Sequence, residues 1–279
     1  MTRASVVVPV YNHEDFVSDA LASAADQSHD DVEIVCVDDG SRDASVVEVL
    51  DSAERSGRTV LVVPQVNAGA HAALNRGASL ATGELLLFLN SDDRYAPSRV
   101  ATFVRAWERD GCPDDFWGFS GVTFLGERGE VVDPAPLGHG KLSSYNYHAT
   151  LGAWVGELLP WHNVMLTSGN LVVSRRLFDR VGGFKEHQLV HDWDMALRLL
   201  AVCDPLVVPL PLYAYRLHGA NTFSTIGEEQ AVAESLEVRR AFQQALLRRS
   251  TQEPYARHGT PFVDYLRAAV PMRVAFSGS

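Results

Sequence analysis

The feature that most constrains the fold is a regular alternation of strand and helix patterns over residues 1–95. Short apolar runs rich in β-branched residues, the first beginning at Ser5, are separated by segments whose apolar residues recur at helical spacing, the first beginning at Phe16. The pattern predicts strands over 5–10, 32–37, 60–63 and 84–89, and helices over 16–24, 44–53 and 70–80. Strands that alternate with helices predict an α/β fold with a mostly parallel sheet flanked by helices, and ligands at the carboxyl ends of the strands.

The pattern becomes less regular after residue 95. It predicts helices over 97–107, 192–201 and 228–249, and strands over 116–125, 170–173 and 206–209. Residues 126–165 are rich in Gly, Pro, His and aromatic residues and show no clear period. A long irregular segment inside a compact domain is more often functional than idle.

Composition limits the classes of function. The formal net charge of −11 argues against a nucleic-acid-binding protein, because binding phosphates requires an excess of Lys and Arg. The three cysteines, Cys36, Cys112 and Cys203, are widely spaced and favour reduced thiols over a disulfide framework or a zinc site. No apolar stretch approaches the roughly 20 residues that span a bilayer, and no signal-peptide pattern follows Met1. We therefore expect a cytoplasmic protein.

Polar residues follow three of the predicted strands. These groups are Tyr11-Asn12, Asp38-Asp-Gly-Ser41 and Asn90-Ser-Asp-Asp93. Since the carboxyl ends of parallel strands meet at one edge of the sheet, we expect the three groups to converge on one crevice. Paired carboxylates brought together raise the energy of the folded state unless a cation lies between them, so the pattern predicts a metal-assisted anion site.

A series of short motifs between residues 4 and 222 is similar to family 2 glycosyltransferases of the GT-A fold. In chain order they are Val8-Pro-Val-Tyr-Asn-His-Glu14, Ser23 with Gln27, Val37-Asp-Asp-Gly-Ser41, Asn67-Ala-Gly69 with Asn75-Arg-Gly77, Phe88-Leu-Asn-Ser-Asp-Asp93, Ser168-Gly-Asn170, Val181-Gly-Gly-Phe184, His191-Asp-Trp-Asp194 and Tyr215-Arg-Leu-His218. The resemblance implies transfer of a sugar from a nucleotide-diphosphate donor, with a UDP-sugar favoured, to a carbohydrate or lipid-linked acceptor.

The resemblance also implies which residues bind the donor and a divalent metal ion. The implied donor-binding residues are Pro9, Tyr11, Glu14, Asp39, Arg76, Asn90, Ser91 and Asp92. The implied ligands of Mn²⁺ or Mg²⁺ are Asp92, Asp93 and His218. Asn90 stands where the family's metal motif has its first acid, which lowers the charge available to the metal.

The catalytic base is implied to be Asp192, with inversion at the anomeric carbon. A base takes the proton from the acceptor hydroxyl, and a helix N-terminus favours the ionised carboxylate that this step needs. Asp194 is the alternative base, and His191 stands where an acid is commoner in the family. A group of aromatic residues is a candidate acceptor site or ordinary packing: Tyr145, Tyr147, Trp154, Trp161 and His162.

The predicted organisation is a nucleotide-sugar-binding half over 1–95, an acceptor-binding half of the same domain over 96–225, and a helical C-terminal extension over 226–279. Residues 236–279 contain seven arginines and three acidic residues, which leaves two interpretations open: a solvated tail, or peripheral contact with an anionic membrane surface. Two other functions also stay open: a non-catalytic nucleotide-sugar-binding relative, and a sugar nucleotidyltransferase. The turn Tyr11-Asn-His-Glu14 counts against the last, because it lacks a glycine-rich phosphate loop with Lys or Arg.

Overall fold

A computed structural model describes residues 1–136, 158–219 and 228–249, and all structural statements below refer to these ranges. The strands are β1 (Ala4–Val10), β2 (Val32–Asp38), β3 (Thr59–Pro64), β4 (Leu85–Phe88), β5 (Arg94–Tyr95), β6 (Trp117–Leu125), β7 (Val172–Ser174) and β8 (Leu206–Arg216). The α-helices are α1 (Val17–Ala25), α2 (Ser45–Arg55), α3 (Ala70–Leu80), α4 (Arg99–Arg109), α5 (Arg175–Val181), α6 (His191–Leu200) and α7 (Glu228–Arg249). A short 3-10 helix covers Ser168–Asn170.

One sheet runs through the described part of the chain, in the order β3-β2-β1-β4-β7-β6-β8-β5. The first four strands are parallel, as the alternating pattern predicts. Strand β7 pairs antiparallel with both β4 and β6, and β8 pairs parallel with β6. The fold is therefore the expected α/β sheet with flanking helices, in which an antiparallel strand joins the N-terminal parallel part to the rest.

Alternate residues of β1 face opposite sides of the sheet and enter two separate cores. Val7 belongs to the core that contains α3, α5, α6 and α7, whereas Val6 and Val8 belong to the core with α1, α2 and α4. Burial on both faces explains why β1, β2 and β4 are continuous apolar runs rather than alternating ones.

Close packing of α3 on β1 requires a glycine. A Cβ at Gly77 would meet the Val7 side chain, and one at Gly169 would collide with the Tyr213 hydroxyl. The glycines of two of the sequence motifs are thus explained by backbone packing close to neighbouring elements.

Several boundaries differ from the sequence predictions. The predicted strand over 170–173 is a 3-10 helix followed by β7, and the helix α5 and the short strand β5 were not predicted. Strand β8 continues to Arg216, past the predicted end at Pro209, because its prolines lie where the pairing with β6 shifts register between Ser120 and Val122. Prolines are tolerated in a sheet at such irregularities, so they do not end the strand.

Among the described residues, no helix combines the length and the apolar character that crossing a membrane requires. The candidate acceptor residues Tyr145, Tyr147 and Trp154 and the tail 250–279 lie outside the described residues.

Candidate functional site

The loops after β1 and β2 bind each other at the carboxyl edge of the sheet. The Asn12 backbone N–H donates to Ser41 Oγ at 3.0 Å, and Asn12 Oδ1 accepts from the Arg42 N–H at 2.8 Å. Asn12 has φ of 52°, a left-handed conformation that asparagine tolerates better than most residues. The next residue, His13, donates its backbone N–H to Ser45 Oγ at 2.8 Å. These bonds fix the backbone of His13 before any ligand is present.

The acidic turn after β4, residues 90–93, is hydrogen-bonded to residues of β8. The Arg216 N–H donates to Asp93 Oδ1 at 2.8 Å, and Arg216 Nε donates to the Asp92 carbonyl oxygen at 2.8 Å. Asp93 Oδ2 accepts from the Tyr213 hydroxyl and from Asn90 Nδ2 at 3.1 Å. Burial, together with the charge of Asp92, raises the pKa of Asp93 well above its ordinary value. Both carboxylate oxygens of Asp93 thus already bind protein donors.

A potential metal site lies beside this turn. Ligand atoms of His13, Asp92 and His218 all lie within 4.8 Å of one another, and His218 Nε2 is 3.0 Å from Asp92 Oδ2. The structure therefore brings two predicted ligands, Asp92 and His218, together with His13. It does not bring Asp93 into this group, because the carboxylate of Asp93 points to the donors described above.

The surroundings of the three side chains fit a divalent cation. His13 Nδ1 lies 2.7 Å from Ser91 Oγ, which orients the ring, and the rings of His218 and Phe16 pack at 4.6 Å. A neighbouring hydrogen bond that orients a ligating histidine is the usual support around a metal. Two imidazole nitrogens and one carboxylate oxygen are ligand types found in divalent-metal sites of proteins: the imidazoles suit first-row transition metals, and the carboxylate suits Mg²⁺ and Mn²⁺.

The predicted donor-binding residues surround the same edge of the sheet. Tyr11 is 43% exposed and Arg76 is exposed, so both side chains are available to a ligand. Pro9 is partly buried in β1, opposite Val37. Glu14 is exposed, and its Oε2 accepts from the Ala44 N–H at 2.8 Å.

The carboxylate of Asp39 is bound by protein donors. Its oxygens accept from Gln65 Nε2 at 2.6 Å and from the N–H groups of Ala68 and Gly69 at 2.8 and 2.9 Å. Asp39 therefore fixes the loop that leads into α3, and its side chain is only 3% exposed.

Asn90 and Ser91 link the acidic turn to the rest of the crevice. Asn90 Nδ2 donates to Thr167 Oγ1 at 2.6 Å, and Asn90 Oδ1 accepts from Ser168 Oγ at 3.1 Å. Ser91 is the partner of His13. The amide at position 90 thus ties the turn to residues 167–168, at the start of the 3-10 helix that precedes β7.

Asp192, the predicted base, lies in the first turn of α6 and is 7% exposed. Its Oδ2 accepts from Asn163 Nδ2 at 2.8 Å, and its Oδ1 from the Trp193 N–H at 2.7 Å. Burial outweighs these bonds and raises the pKa of Asp192 to about 7. A carboxylate with such a pKa is suited to accept a proton near neutral pH.

The alternative base, Asp194, is engaged in ion pairs. Its Oδ2 lies 2.6 Å from Arg198 Nη2, and its Oδ1 lies 3.6 Å from Lys185 Nζ. Its side chain is only 4% exposed. The geometry therefore favours Asp192 over Asp194 as the base. His191 has a pKa lowered to about 4, mainly by burial and then by His71 and His187, which keeps its ring neutral.

Tyr215 of β8 is influenced by carboxylates of both the acidic turn and α6. Burial and then the charges of Asp93, Asp92 and Asp192 raise the pKa of its hydroxyl, so this group lies within electrostatic range of all three carboxylates.

Sequence reasoning missed two residues of this site, His13 and Asn163. His13 directly follows the Tyr11-Asn12 group at the end of β1, so the rule that selected the acidic groups would also have selected it. Asn163 lies in the irregular segment 126–165, where no periodic signal identifies it.

Comparison with known proteins gives a matching family and similar folds. The family model described as "Glycosyl transferase family 2" matches residues 5–130. An uncharacterized glycosyltransferase of Nostoc sp. is 35% identical over 106 residues, which cover 38% of this chain and 33% of that protein. The matched part therefore spans about a third of that relative's length.

Two solved structures share the fold. S. aureus TarS 1–349, in complex with UDP-GlcNAc, superposes with a TM-score of 0.69 at 18% identity, covering 99% of this chain and 73% of that 1–349 chain. The mannosyltransferase PcManGT of Pyrobaculum calidifontis, in complex with GDP-Man and Mn²⁺, gives a TM-score of 0.52 at 20% identity, covering 100% of this chain and 76% of that one. At these identities, the likeness is one of fold.

Proposed function

We propose, from the match of residues 5–130 to the model of glycosyltransferase family 2, that this chain is an enzyme of that family and transfers a sugar from a nucleotide-diphosphate donor to an acceptor hydroxyl. The proposed reaction is a direct displacement with inversion at the anomeric carbon, assisted by a divalent metal ion. The product is a polysaccharide, glycolipid or other glycoconjugate. UDP-sugars are the favoured donors.

One observation carries the proposal. A group of potential metal ligands, His13, Asp92 and His218, lies together, and Asp192, a buried carboxylate whose pKa is raised to about 7 by burial, acts electrostatically on the same Tyr215 hydroxyl as Asp92. A cation-binding group stabilises a departing diphosphate, and a base of near-neutral pKa activates an attacking hydroxyl. The described residues thus offer groups for both chemical needs of glycosyl transfer.

Each group has a proposed role. His13, Asp92 and His218 would hold Mn²⁺ or Mg²⁺, which supplies positive charge to the diphosphate when it is bound. Tyr11 and Arg76, two exposed members of the proposed donor site, would contact the nucleoside, with Asp39 fixing the loop that leads into α3. Asp192 would take the proton of the acceptor hydroxyl, and Asn163 keeps that carboxylate oriented.

Support for the choice of donor comes from the solved structures of similar fold. TarS is described in complex with UDP-GlcNAc, and PcManGT in complex with GDP-Man and Mn²⁺. We therefore propose UDP-glucose and UDP-GlcNAc as the first donors to test, with GDP-mannose as the comparison.

The test combines binding with turnover. Calorimetry should give stronger UDP binding with Mn²⁺ or Mg²⁺ than with EDTA, and at least one of the three donors should be hydrolysed to its free nucleoside diphosphate. The anomeric configuration of the released or transferred sugar, followed by NMR, should be inverted.

Each opposite result has a defined meaning. Equal UDP affinity with metal and with EDTA would contradict metal assistance. Tight donor binding without turnover of any donor and acceptor would indicate a non-catalytic relative. Release of pyrophosphate from UTP and a sugar 1-phosphate would indicate a nucleotidyltransferase instead.

A further inference from the structure

The long helix α7 packs directly on α6, the helix that carries Asp192. Its buried side chains Val238, Phe242 and Leu246 recur every four residues and enter the same core as Met195 and Leu199 of α6. This spacing places one apolar stripe of α7 along α6. A helix far beyond the family-matched residues 5–130 therefore contributes to the packing around the proposed base.

One carboxylate of α7 binds the segment that leads into α6. Glu234 Oε1 accepts from the Gln188 N–H at 3.2 Å, and Oε2 accepts from the N–H groups of Leu189 and Val190 at 3.0 and 3.4 Å. Val190 immediately precedes α6, and its side chain offers no cap to the helix. Gln230 adds a second bond between α7 and this segment, since its Nε2 donates to Gln188 Oε1 at 2.8 Å. Asp192 lies two residues after this bound segment.

The same helix also touches the other support of Asp192. The Arg239 guanidinium lies 6.0 Å from the ring centre of Trp161, and Trp161 precedes Asn163 by two residues. Asn163 donates to Asp192 Oδ2, and Trp193 Nε1 donates to the Leu159 carbonyl oxygen in the same segment. Two contacts of α7 therefore reach both stretches of backbone that orient the proposed base.

We propose that Glu234 is a positioning residue for Asp192: its carboxylate fixes residues 188–190 and so holds the start of α6 in the geometry that catalysis needs. This inference rests on the proposed function, because it assigns Asp192 the role of base. Although burial opposes ionisation, the N–H donors of Leu189 and Gln188 and the amide of Gln230 lower the pKa of Glu234, so its carboxylate is charged at neutral pH. Charge-assisted bonds of this kind are about twice as strong as neutral ones.

The experiment compares Glu234→Ala and Glu234→Gln with the control Glu237→Ala. Glu237 lies on the same helix and is exposed. We expect Glu234→Ala to lower kcat for UDP-GlcNAc hydrolysis, in the presence of Mn²⁺, by roughly 10- to 100-fold, the scale for a misplaced catalytic group. The KM for UDP-GlcNAc and the affinity for UDP should stay unchanged. Glu234→Gln keeps one acceptor oxygen, so its kcat should lie between those of Glu234→Ala and wild type. The kcat of Glu237→Ala should equal that of wild type.

Hydrogen–deuterium exchange supplies a second measurement that does not depend on activity. Glu234→Ala should speed exchange of the amides of residues 188–193 and leave those of β1 and β4 unchanged. If wild type hydrolyses no donor, the proposed function fails, while the exchange result still tests whether Glu234 holds this segment. Unchanged exchange at 188–193, or a lower melting temperature with wild-type kcat at temperatures where the protein is folded, would overturn the proposal.

Discussion

At the scale of single residues, the site depends on groups whose chemistry is set by burial. Asp192 and Asp194 are two residues apart in the same helix, yet one accepts bonds from two neutral donors and the other is paired with Arg198 and Lys185. The carboxylate of Asp192 has the raised pKa, because no cation of the described residues forms an ion pair with it to offset its desolvation. Their different partners predict different effects of substitution.

Asp192→Asn should abolish proton transfer while keeping the shape of the site. We expect kcat to fall by roughly 100-fold or more with little change in donor affinity, because the amide cannot accept the proton. The buried Oδ1 of Asn163 has no partner among the described residues, so rotation of that amide can accommodate the introduced NH₂ group. Steady-state kinetics and UDP calorimetry measure the two effects, and wild-type kcat in this variant would rule out Asp192 as the base.

The raised pKa of Asp192 also predicts a pH dependence. In wild type, kcat should rise with pH through about 7, as the carboxylate ionises. The folded pKa of about 7 exceeds the reference value of 3.8, so the folded state binds this proton more tightly than the unfolded chain. The contribution of Asp192 to the free energy of unfolding therefore decreases as pH rises between these values and stays low above them. In urea unfolding, Asp192→Asn should be at least as stable as wild type at pH 8, and lower stability there would contradict the buried-charge argument.

His13→Gln tests the metal ligand that only the structure revealed. Removing one imidazole from the group with Asp92 and His218 should weaken Mn²⁺-dependent UDP binding by roughly 10- to 100-fold. UDP binding in EDTA should not change. His29→Gln is the control, because His29 bonds to the Thr2 carbonyl oxygen ahead of β1. Equal Mn²⁺ dependence in wild type and His13→Gln would remove His13 from the metal site.

At the scale of elements, α3 packs closely on the sheet because Gly77 has no side chain. A Cβ at Gly77 would lie 2.4 Å from Val7 Cγ1, a distance that forces α3 away from β1. Overpacking of a core by one methyl group costs about 1–3 kcal/mol. The effect opposes the helix propensity of alanine, which by itself favours the substitution by about 1 kcal/mol.

Gly77→Ala is therefore expected to lower the free energy of unfolding, measured in urea, by up to about 2 kcal/mol, the packing cost less the gain in helix propensity. Ser79→Ala in the same helix is the control, since Ser79 is exposed and should change stability by about 0.5 kcal/mol or less. A stability gain in Gly77→Ala would mean that α3 can move without loss of packing.

At the scale of the whole molecule, the two predicted halves share one sheet. Strand β7 joins β4 of the first half to β6 of the second, and Asn75 of α3 forms two bonds with the backbone of Phe184. These bonds, of 2.7 and 2.8 Å, connect positions 109 residues apart. The motifs Asn75-Arg-Gly77 and Val181-Gly-Gly-Phe184 are thus partners across the molecule.

We expect the two halves to unfold in one cooperative transition. All five tryptophans lie beyond residue 95, so their fluorescence reports on the second half, whereas the buried Cys36 of β2 reports on the first through its reaction with a thiol reagent. Both probes should give the same urea midpoint, and Asn75→Ala should shift both together by about 1–3 kcal/mol in stability. Separate midpoints would show that the boundary near residue 95 divides independent units.

The assignment of residues 236–279 as a basic region stays a prediction, since most of it lies outside the described residues. The same holds for the organisation into halves and extension, and for contact with an anionic membrane.

The sequence by itself determined the α/β class, the order of the elements over residues 4–89 with their bounds to within two residues, and the meeting of the loops after β1, β2 and β4 at one edge of the sheet. It did so because these elements depend on local periodicity, and because the geometry of parallel strands fixes where their ends lie. Its resemblance to family 2 glycosyltransferases also selected Asp92 and His218 as metal ligands and Asp192 as the base, roles that stay predictions.

Only the tertiary structure decided which of those side chains meet. Asp92 and Asp93 are adjacent in sequence, but their side chains point in different directions, so one joins His13 and His218 while the other is bound by Tyr213 and Arg216. The near-neutral pKa of Asp192 likewise depends on burial. The bonds that Asp192 accepts from Asn163 and that Glu234 accepts from the segment before α6 join residues more than 25 positions apart in sequence. Sequence periodicity does not predict such contacts, because they depend on how whole elements pack against one another.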